Sequence, residues 1–437
     1  MRAKICLLGA TLLVATTALP ARAYVPERTP QRDIEARAYT SLEQPAARGS
    51  SSALVILRGG RPLIDVGGGT PMTPASVLKL FTMTSGIVRF GPTHRFATRV
   101  LGTGPPTAPT SLTLVGGGDP TLATEAFRRA RYLPKPTDEI KRPAFAHPLE
   151  TIDVLAARIA AAGVRTVAGN LYADESLFDS RRTQDGWLPR YLTGDPETGL
   201  LSALTVNEGR LDLKGKVLSR NPALSAGSFL KQALQARGIV VAGDVVLGRA
   251  PAGSTEIARV QSPPVAEIVD FTLRYSINFD AETMLKDLGA AFGGAGTTRA
   301  GVSVVLDTMR SLGVPTTGMT MTDGSGLSLI DRVTPRTVGA LVEHILTADG
   351  PGWEAVRAAM PVAGRPGTLE KRLKTGPAAG NLVGKTGSLA HVRTMAGWVT
   401  PDDGVPLVYV IMFNGVARPS TLTTVIDLFG TLLARAG

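Results

Sequence analysis

The sequence predicts an α/β (α+β) fold in which one domain, built from both ends of the chain, is interrupted by an inserted β-rich region. Helices and strands alternate near the N-terminus and again beyond residue 259, whereas many short strands with Gly and Pro turns occupy the middle. The 437 residues are 43% hydrophobic and 19% charged, which is enough apolar material for more than one core. The 49 Gly and 31 Pro exclude a coiled coil or a long helical array.

The N-terminus is predicted to be an export signal. Arg2 and Lys4 precede an apolar run that ends before an Ala-Arg-Ala site at residues 21–23, which is the order of a signal peptide. The run is shorter than the roughly 20 apolar residues that span a bilayer. Residues 1–23 are therefore predicted to be a signal peptide, with an uncleaved anchor as the alternative. We expect an exported protein in the periplasm, or in the cell wall at the outer face, of a bacterium.

The charge of the mature chain is predicted to be basic. Removing residues 1–23 takes away two Arg and one Lys, so the net charge falls from +11 to +8. This charge predicts an anionic cell-wall polymer or membrane surface as a neighbour, although a charge that serves only solubility explains it equally well. Nucleic acid is not a predicted partner, because aromatic residues are 5% of the chain and no basic helix or zinc-finger spacing occurs.

The first ordered elements are predicted after a flexible tether at residues 24–51. Ala53–Arg58 and Arg61–Val66 flank two glycines and are predicted to form a β-hairpin. A helix is predicted at Ala75–Phe90. Its only charge before Arg89 is Lys79, so we expect a helix that is buried on every side.

Residues 92–258 are predicted to be the inserted accessory region. Strands are expected at Ser111–Val115, Val167–Ala173 and Ile239–Leu247, with Gly and Pro turns between them. Residues 127–148 carry six Lys and Arg with no helical or strand period, which predicts a mobile basic loop.

The C-terminal part, residues 259–437, is predicted to complete the domain that begins with residues 52–91. Helices are expected first, followed by strands and a final helix. These last elements are predicted at Leu382–Lys385, Val392–Val399, Leu407–Phe413 and Leu422–Ala436.

Three short motifs that carry chemistry occur in chain order: Ser-Val-Leu-Lys at 76–79, Ser-Ile-Asn at 276–278 and Lys-Thr-Gly at 385–387. A Lys one helical turn after a Ser can take the hydroxyl proton when burial and a nearby cation keep the amine partly neutral. Lys79 has this setting. Ser76 is predicted near a helix start, where free backbone N–H groups can stabilise an oxyanion.

Each motif has a second copy, at residues 228–231, 219–221 and 374–376, which we interpret as structural. Lys231 shares a polar helix face with Ser228, and Asn221 precedes a proline in a turn. Lys374 lies among basic residues and is followed by Pro377, which excludes a central strand, whereas Lys385 opens an apolar strand that can be central.

Two other patterns are interpreted as false leads. Residues 380–386 resemble a phosphate-binding loop, but Ala379 stands where that loop needs a glycine and a strand-like sequence follows. The four histidines have no metal-ligand spacing, so no metal site is predicted. His391, which is near the third motif, is assigned a structural role.

The motifs and their surroundings resemble the type-4 low-molecular-mass penicillin-binding proteins, the D-alanyl-D-alanine carboxypeptidases and endopeptidases of the S13 peptidase family. The resemblance extends from about Ser52 to the C-terminal helix. The gap of roughly two hundred residues between Lys79 and Ser276 also resembles this family, which inserts accessory domains there. The matching segments are Gly116–Leu122, Asp174–Phe178, Thr205–Asn207, Tyr275–Asn278, Asp323–Ser328, Gly384–Ser388 and Val392–Gly397.

The resemblance implies a penicilloyl-serine-transferase domain, which has the β-lactamase/DD-peptidase-like fold, and catalytic roles in it. Ser76 would attack the carbonyl between the terminal D-alanines of a peptidoglycan stem peptide, with Lys79 as base. Ser276 and Lys385 would relay the proton to the leaving amine, and Asn278 would orient the acyl amide. No metal or organic cofactor is implied, and β-lactam antibiotics are the expected inhibitors.

The resemblance also implies substrate contacts. Lys385 and Thr386 would hold the substrate carboxylate, next to Gly387, and the backbone N–H groups of Ser76 and Ser388 would form the oxyanion hole. Asp174 and Phe178 are further expected contacts. Many relatives carry an Arg where this chain has Leu329, so Arg332 is the expected substitute for binding a side-chain carboxylate. Without it, Leu329 predicts tolerance of an amidated side chain.

Two other functions are compatible with the sequence. One is a serine β-lactamase or esterase with the same nucleophile, and the other is a non-catalytic wall-binding protein. The intact motifs and the buried setting of Lys79 argue against the binding protein, and the insert offers no rapid deacylating water. Slow release of bound penicillin would indicate a peptidase, fast release a lactamase, and no adduct a binding protein.

Overall fold

A computed structural model describes Ala36 and residues 50–132, 145–417 and 419–436. The predicted signal peptide and nearly all of the predicted tether lie outside these residues. Within the described ranges, no helix has both the length and the apolar character needed to cross a membrane.

The predicted hairpin and the predicted first helix are confirmed. The hairpin begins at Ser51, one residue inside the predicted tether, and Gly59 and Gly60 have the positive φ angles that its two-residue turn requires (55° and 74°). The first turn of the predicted helix is a 3₁₀ turn. The elements are β1 (Ser51–Arg58), β2 (Arg61–Val66), the 3₁₀ turn (Ala75–Leu78) and α1 (Lys79–Phe90).

The middle of the chain forms a second sheet with helices packed on it, in the order β3 (Ala97–Thr103), β4 (Ser111–Val115), α2 (Glu125–Arg131), α3 (Ile152–Ala161), β5 (Thr166–Val167), β6 (Leu171–Asp174), α4 (Pro222–Gln235), β7 (Val240–Val241), β8 (Val245–Leu247) and β9 (Thr255–Gln261). The sheet order is β8-β6-β4-β3-β9, and β5 pairs with β7 separately. The strands predicted at 167–173 and 239–247 are each divided in two. Gly169 and Gly243 cause the division, because their backbones approach each other and the Gly243 N–H donates to the Gly169 carbonyl (3.0 Å).

The prediction of a mobile loop at residues 127–148 is wrong at both ends of that segment. Residues 125–131 form α2, which Thr124 caps by accepting a hydrogen bond from the Phe127 N–H (3.2 Å). Phe127, Tyr132 and Phe145 are buried in an aromatic cluster with Phe271. In the sequence, the many Lys and Arg between these aromatic residues obscured the apolar pattern. Residues 133–144 lie outside the described ranges.

The C-terminal part returns to the first sheet. Its elements are α5 (Val265–Tyr275), α6 (Asn278–Phe292), α7 (Thr298–Ser311), α8 (Pro335–Thr347), α9 (Pro351–Ala359), β10 (Val383–Leu389), β11 (Val392–Val399), β12 (Leu407–Asn414) and α10 (Pro419–Ala434). The sheet order is β10-β11-β12-β1-β2, with antiparallel pairs throughout. Strand β1 therefore pairs with β12, from Ser51 opposite Asn414 to Arg58 opposite Leu407.

Strand β10 lies at the edge of this sheet. Lys385 is therefore in an edge strand, although its sequence was also compatible with a central one. The 3₁₀ turn covers this edge. A Cβ atom on Gly387 would lie 2.7 Å from the Pro74 carbonyl oxygen, which shows how closely the strand and the turn approach.

Each sheet has its own buried core. Alternate side chains of the first sheet point to two apolar clusters, one shared with α1 and α8 and the other with α10. The second sheet packs with α3 and α4 around a third cluster. These separate cores support a proposed division into a discontinuous domain (residues 52–91 and 259–437) and an inserted domain (residues 92–258).

Candidate active site

The fold brings the first and second motifs together around the amine of Lys79. Its Nζ donates to Ser76 Oγ (3.1 Å), to Asn278 Oδ1 (2.6 Å) and to the Ser325 carbonyl oxygen (2.7 Å). Lys79 is completely buried. One amine therefore contacts a hydroxyl, a side-chain amide and a backbone carbonyl, and all of its donor positions are used.

The turn that carries Ser76 is held from two sides. Ala75 has a φ of 49°, in the left-handed region, and the carbonyl before it, that of Pro74, accepts a hydrogen bond from Thr394 Oγ1 (2.7 Å). On the other side, Gly326 packs so closely that a Cβ atom there would lie 2.0 Å from the Ala75 carbonyl oxygen. These contacts fix the strained residue beside Ser76.

The second and third motifs form a second pair of an amine and a hydroxyl. Ser276 follows α5 with a φ of 63°, and its Oγ accepts a hydrogen bond from Lys385 Nζ (2.9 Å). Lys385 also donates to the Thr386 carbonyl (2.9 Å) and is completely buried. Asn278 begins α6, and its Nδ2 donates to the Glu197 carbonyl of the inserted region (2.9 Å).

Burial controls the charge of both lysines. It lowers the pKa of Lys79 to about 8, although the negative charges of Asp323 and Glu282 act in the opposite direction. Burial, followed by the positive charge of Lys79, lowers the pKa of Lys385 well below its ordinary value. Both amines therefore lose their protons more readily than a lysine in water.

Two buried acids behind Lys79 were missed in the sequence. Glu282 Oε1 accepts hydrogen bonds from the N–H groups of Gly324 (3.0 Å) and Ser325 (2.7 Å). Asp323 accepts from the Gly326 N–H (2.7 Å) and, with its other oxygen, from the Ser328 N–H (2.7 Å). A signal for Glu282 exists in the sequence, because it lies one helical turn after Asn278 and so shares a helix face with it.

A cavity of about 760 Å³ opens beside Ser76 and contains the third motif. Thr386 and Ser388 line it, as the resemblance implied, and Gly387 lies between them in β10. Its wall also contains three arginines that the sequence did not indicate, Arg190, Arg372 and Arg393. Glu197 is the one acidic residue in this wall.

Three predicted substrate contacts do not line this cavity. The Arg332 guanidinium instead donates to Thr73 Oγ1 (2.9 Å) and to the Leu329 and Asp331 carbonyls (2.8 Å each), so it closes its own loop. Asp174 and Phe178 line a separate pocket of about 200 Å³ at the end of β6. These three residues lie outside the cavity beside Ser76, and their contact with a substrate stays a prediction.

The second copies of the motifs have structural partners. Ser228 is exposed and donates to the Leu224 carbonyl (2.9 Å), whereas Lys231 donates to the Gly243 carbonyl (2.7 Å). Asn221 caps α4. The imidazole of His391 contacts the Val416 carbonyl through Nδ1 (3.0 Å), in agreement with its assigned structural role.

The chemistry of the site follows from these contacts. A buried amine beside a hydroxyl can activate that hydroxyl as a nucleophile, and a second pair of this kind can pass a proton to a leaving group. A cavity with several cations beside them favours a substrate that carries negative charge. This set of groups is suited to acyl transfer through a serine.

Comparisons with known proteins agree with this chemistry. The family model for the D-Ala-D-Ala carboxypeptidase 3 (S13) family matches residues 35–217 and 208–435. A D-alanyl-D-alanine carboxypeptidase from Actinomadura sp. is 31% identical, over 95% of this chain and 86% of the relative. Carboxypeptidase DacB from Mycolicibacterium smegmatis is 30% identical, over 86% of this chain and 78% of the relative.

The fold has solved counterparts. The crystal structure of penicillin binding protein 4 from Haemophilus influenzae matches with a TM-score of 0.75 at 19% identity, and the match covers 91% of this chain and 98% of that one. The same protein in complex with a β-lactam matches with a TM-score of 0.69 at 20% identity, over 93% of this chain and 98% of that one. The chain therefore has the β-lactamase/penicillin-binding fold with its insert.

Proposed function

The chain belongs to the D-Ala-D-Ala carboxypeptidase 3 (S13) family, and on this basis we propose how its site works as a penicillin-sensitive serine D-alanyl-D-alanine peptidase. The substrate is a peptidoglycan stem peptide, and the reaction proceeds through an acyl group on Ser76. The observation that carries the proposal is the hydrogen bond of 3.1 Å between the buried Lys79 amine and the Ser76 hydroxyl.

The first step is acylation. Neutral Lys79 accepts the Ser76 hydroxyl proton while Oγ forms a bond to the carbonyl carbon between the two D-alanines. The carbonyl oxygen becomes negative and is stabilised by the backbone N–H groups of Ser76 and Ser388. The C–N bond then breaks, and the proton that Lys79 accepted passes through Ser276, beside Lys385, to the leaving amine, so that Lys79 is neutral again and Ser276 keeps its hydroxyl.

The second step releases the product. Water attacks the carbonyl carbon of the ester and gives a proton to Lys79. The bond between that carbon and Ser76 Oγ then breaks, Lys79 returns the proton to Oγ, and the shortened peptide leaves with a new carboxyl group. Asn278 holds Lys79 through Oδ1, and we propose that it also orients the substrate amide as the step proceeds. No residue in this sequence of steps requires a metal or an organic cofactor.

Substrate selection is proposed to depend on charge. Thr386 and Ser388 bind the terminal carboxylate, and Arg190 binds a second carboxylate on the stem peptide. Of the three arginines in the cavity wall, Arg372 is paired with Asp427 (2.6 Å), and Arg393 donates to the Leu389 and Val392 carbonyls. The Arg190 guanidinium lines the cavity and lies 5.3 Å from the Tyr191 ring centre.

The surroundings of the enzyme are proposed from its charge. A net charge of +8 without residues 1–23 favours anionic wall polymers as neighbours. The sequence pattern of residues 1–23 supports export to the periplasm or the cell wall.

Labelling with penicillin tests the proposal. A labelled penicillin should attach covalently to the peptide that contains Ser76, as mapped by mass spectrometry. Slow release of the adduct is expected of a peptidase, and rapid release would instead assign the chain to the β-lactamases. An adduct on Ser228, or no adduct, would contradict the proposed nucleophile.

A further inference from the structure

A single peptide unit connects a buried acid to the base. The carbonyl of Ser325 accepts a hydrogen bond from Lys79 Nζ (2.7 Å), and the N–H of the same peptide, that of Gly326, donates to Asp323 Oδ1 (2.7 Å). Asp323 and Ser325 are completely buried. The three groups therefore form one line of hydrogen bonds, from a carboxylate through a peptide to an ammonium group.

This peptide is fixed in position. Gly326 has a φ of 79°, and a Cβ atom there would lie 2.0 Å from the Ala75 carbonyl oxygen, so only glycine fits between Asp323 and the turn of Ser76. The preceding N–H groups of Gly324 and Ser325 are held by Glu282. The Ser325 carbonyl consequently has one orientation, toward Lys79.

Asp323 is the acceptor of three hydrogen bonds. The donors are the N–H groups of Gly326 (2.7 Å), Ser328 (2.7 Å) and the indole of Trp187 (2.9 Å). Hydrogen bonds of this kind hold a carboxylate group in place. The charge of Asp323 polarises the peptide between Asp323 and Lys79. Hydrogen bonds in such a chain strengthen one another.

We propose that Asp323 is a positioning residue for the base, acting on Lys79 through the Ser325–Gly326 peptide. It holds the carbonyl in place and makes it a stronger acceptor, so that Lys79 binds its proton more tightly than burial alone would allow. The proposal rests on the proposed function, because it requires Lys79 to be the base. Trp187, from the inserted region, acts on the base through the same acid.

Other charged groups also face this line. The charges of Glu282, Glu197 and Asp280 act to raise the pKa of Lys79. Lys385 is the neighbouring cation. Asp331 faces Asp323, and burial, followed by the negative charge of Asp323, raises the pKa of Asp331 well above its ordinary value. Among these groups, Asp323 is the one joined to the Lys79 amine by a shared peptide.

The test is the pH dependence of acylation by a chromogenic β-lactam, measured on the full chain. Asp323→Asn removes the negative charge and keeps the size of the side chain. The midpoint of the rate profile should move to lower pH by roughly one unit or more, because loss of a nearby opposite charge disfavours the protonated amine. Asp287→Asn is the control for replacing a buried acid, since Asp287 is a second buried acid, on α6, that is not joined to Lys79.

A second variant changes the midpoint in the opposite direction. Trp187→Phe removes one of the three hydrogen-bond donors to Asp323. The carboxylate then interacts more strongly with the two remaining donors, which are backbone N–H groups. The midpoint should therefore rise by roughly a few tenths of a pH unit. This variant decides the question if Asp323→Asn does not fold.

The outcomes separate this proposal from the function on which it rests. A lower rate at every pH with an unchanged midpoint, in Asp323→Asn or in Trp187→Phe, would reduce Asp323 to a structural role and overturn the proposal. A shift in Asp287→Asn equal to that in Asp323→Asn would do the same. A wild-type chain that is not acylated at any pH would instead contradict the proposed function.

Discussion

The Ser-x-x-Lys sequence occurs twice in this protein, at residues 76–79 and within α4 at residues 228–231, and its surroundings differ completely. At the first copy the amine is buried and contacts the serine hydroxyl. At the second copy, in the described structure, the serine and the lysine each donate to a different backbone carbonyl. The spacing is the same, so the chemistry comes from the burial and from the partners that other segments supply.

The largest effect is expected from removing each hydroxyl. Ser76→Ala should abolish penicillin labelling and peptide turnover, because no other group forms the acyl bond. Ser228→Ala should leave both unchanged. Labelling and turnover of the two purified variants, with melting temperatures as the control for folding, measure the difference. Loss of labelling in Ser228→Ala would contradict the structural role that we assign to the second copy.

The second-largest effect, on the acylation rate, is expected from replacing the lysine of each copy. Lys79→Arg remains charged at every working pH and cannot act as a base, so acylation should fall at least roughly a hundredfold. Lys231→Arg, the matched control, should acylate at the wild-type rate. Stopped-flow measurement with a chromogenic β-lactam gives both rates. If Lys79→Arg acylated normally, proton transfer to Lys79 would not be part of the mechanism.

The pH profile sharpens the comparison further. Burial lowers the pKa of Lys79 to about 8, so the amine holds its proton below that pH and cannot accept another. The acylation rate should therefore rise with pH, from roughly one unit below that value to one unit above it. Lys231→Gln should give the same profile. A rate that fell with rising pH across this window would contradict the assignment of the base.

A smaller effect is expected from the cavity wall, which the second copy of the motif lacks. Leu329 alone predicts tolerance of an amidated substrate side chain, whereas Arg190 predicts a preference for the free acid. Arg190→Gln should raise KM up to about fivefold for a stem peptide with a free side-chain carboxylate, and leave the amidated peptide unaffected. Arg181→Gln, outside the cavity, is the control. An equal rise in KM for both peptides would show that Arg190 does not recognise the side-chain carboxylate.

The smallest effect is expected at the structural copy. Lys231→Met removes the hydrogen bond to the Gly243 carbonyl, so the free energy of unfolding should fall by about 1 kcal/mol with no change in acylation. Urea unfolding of the variant and the wild type measures the difference. A loss of acylation without unfolding would show that α4 contributes to catalysis after all.

The residues of the proposed catalytic site could be found in the sequence because their chemistry is tied to short spacings. Ser76 and Lys79 are one helical turn apart, and the apolar stretch around them already indicated burial. The hairpin of β1 and β2 was equally clear, since two glycines mark its turn. Local rules were sufficient for these features.

The substrate wall could not be predicted, because it is built from distant segments. Arg190 comes from a 3₁₀ turn of the inserted region and Arg393 from β11, and no local pattern shows that both reach one cavity. The direction of the Arg332 side chain could not be predicted for a related reason. Its closeness in sequence to Leu329 suggested a substitute, yet the guanidinium satisfies the carbonyls of its own loop. Sequence distance did not indicate side-chain direction.

The pairing of β1 with β12 determines when this enzyme can form during synthesis. The first strand of the sheet begins at Ser51, but its partner ends at Asn414, close to the C-terminus. Sheets closed by such distant segments form slowly. The nascent chain holds Ser76 and Lys79 long before it holds Lys385, so the nucleophile has no complete site until translation is almost finished. The domain that carries the proposed site therefore completes its sheet only after its last strand has been made, whereas the inserted region has a core of its own.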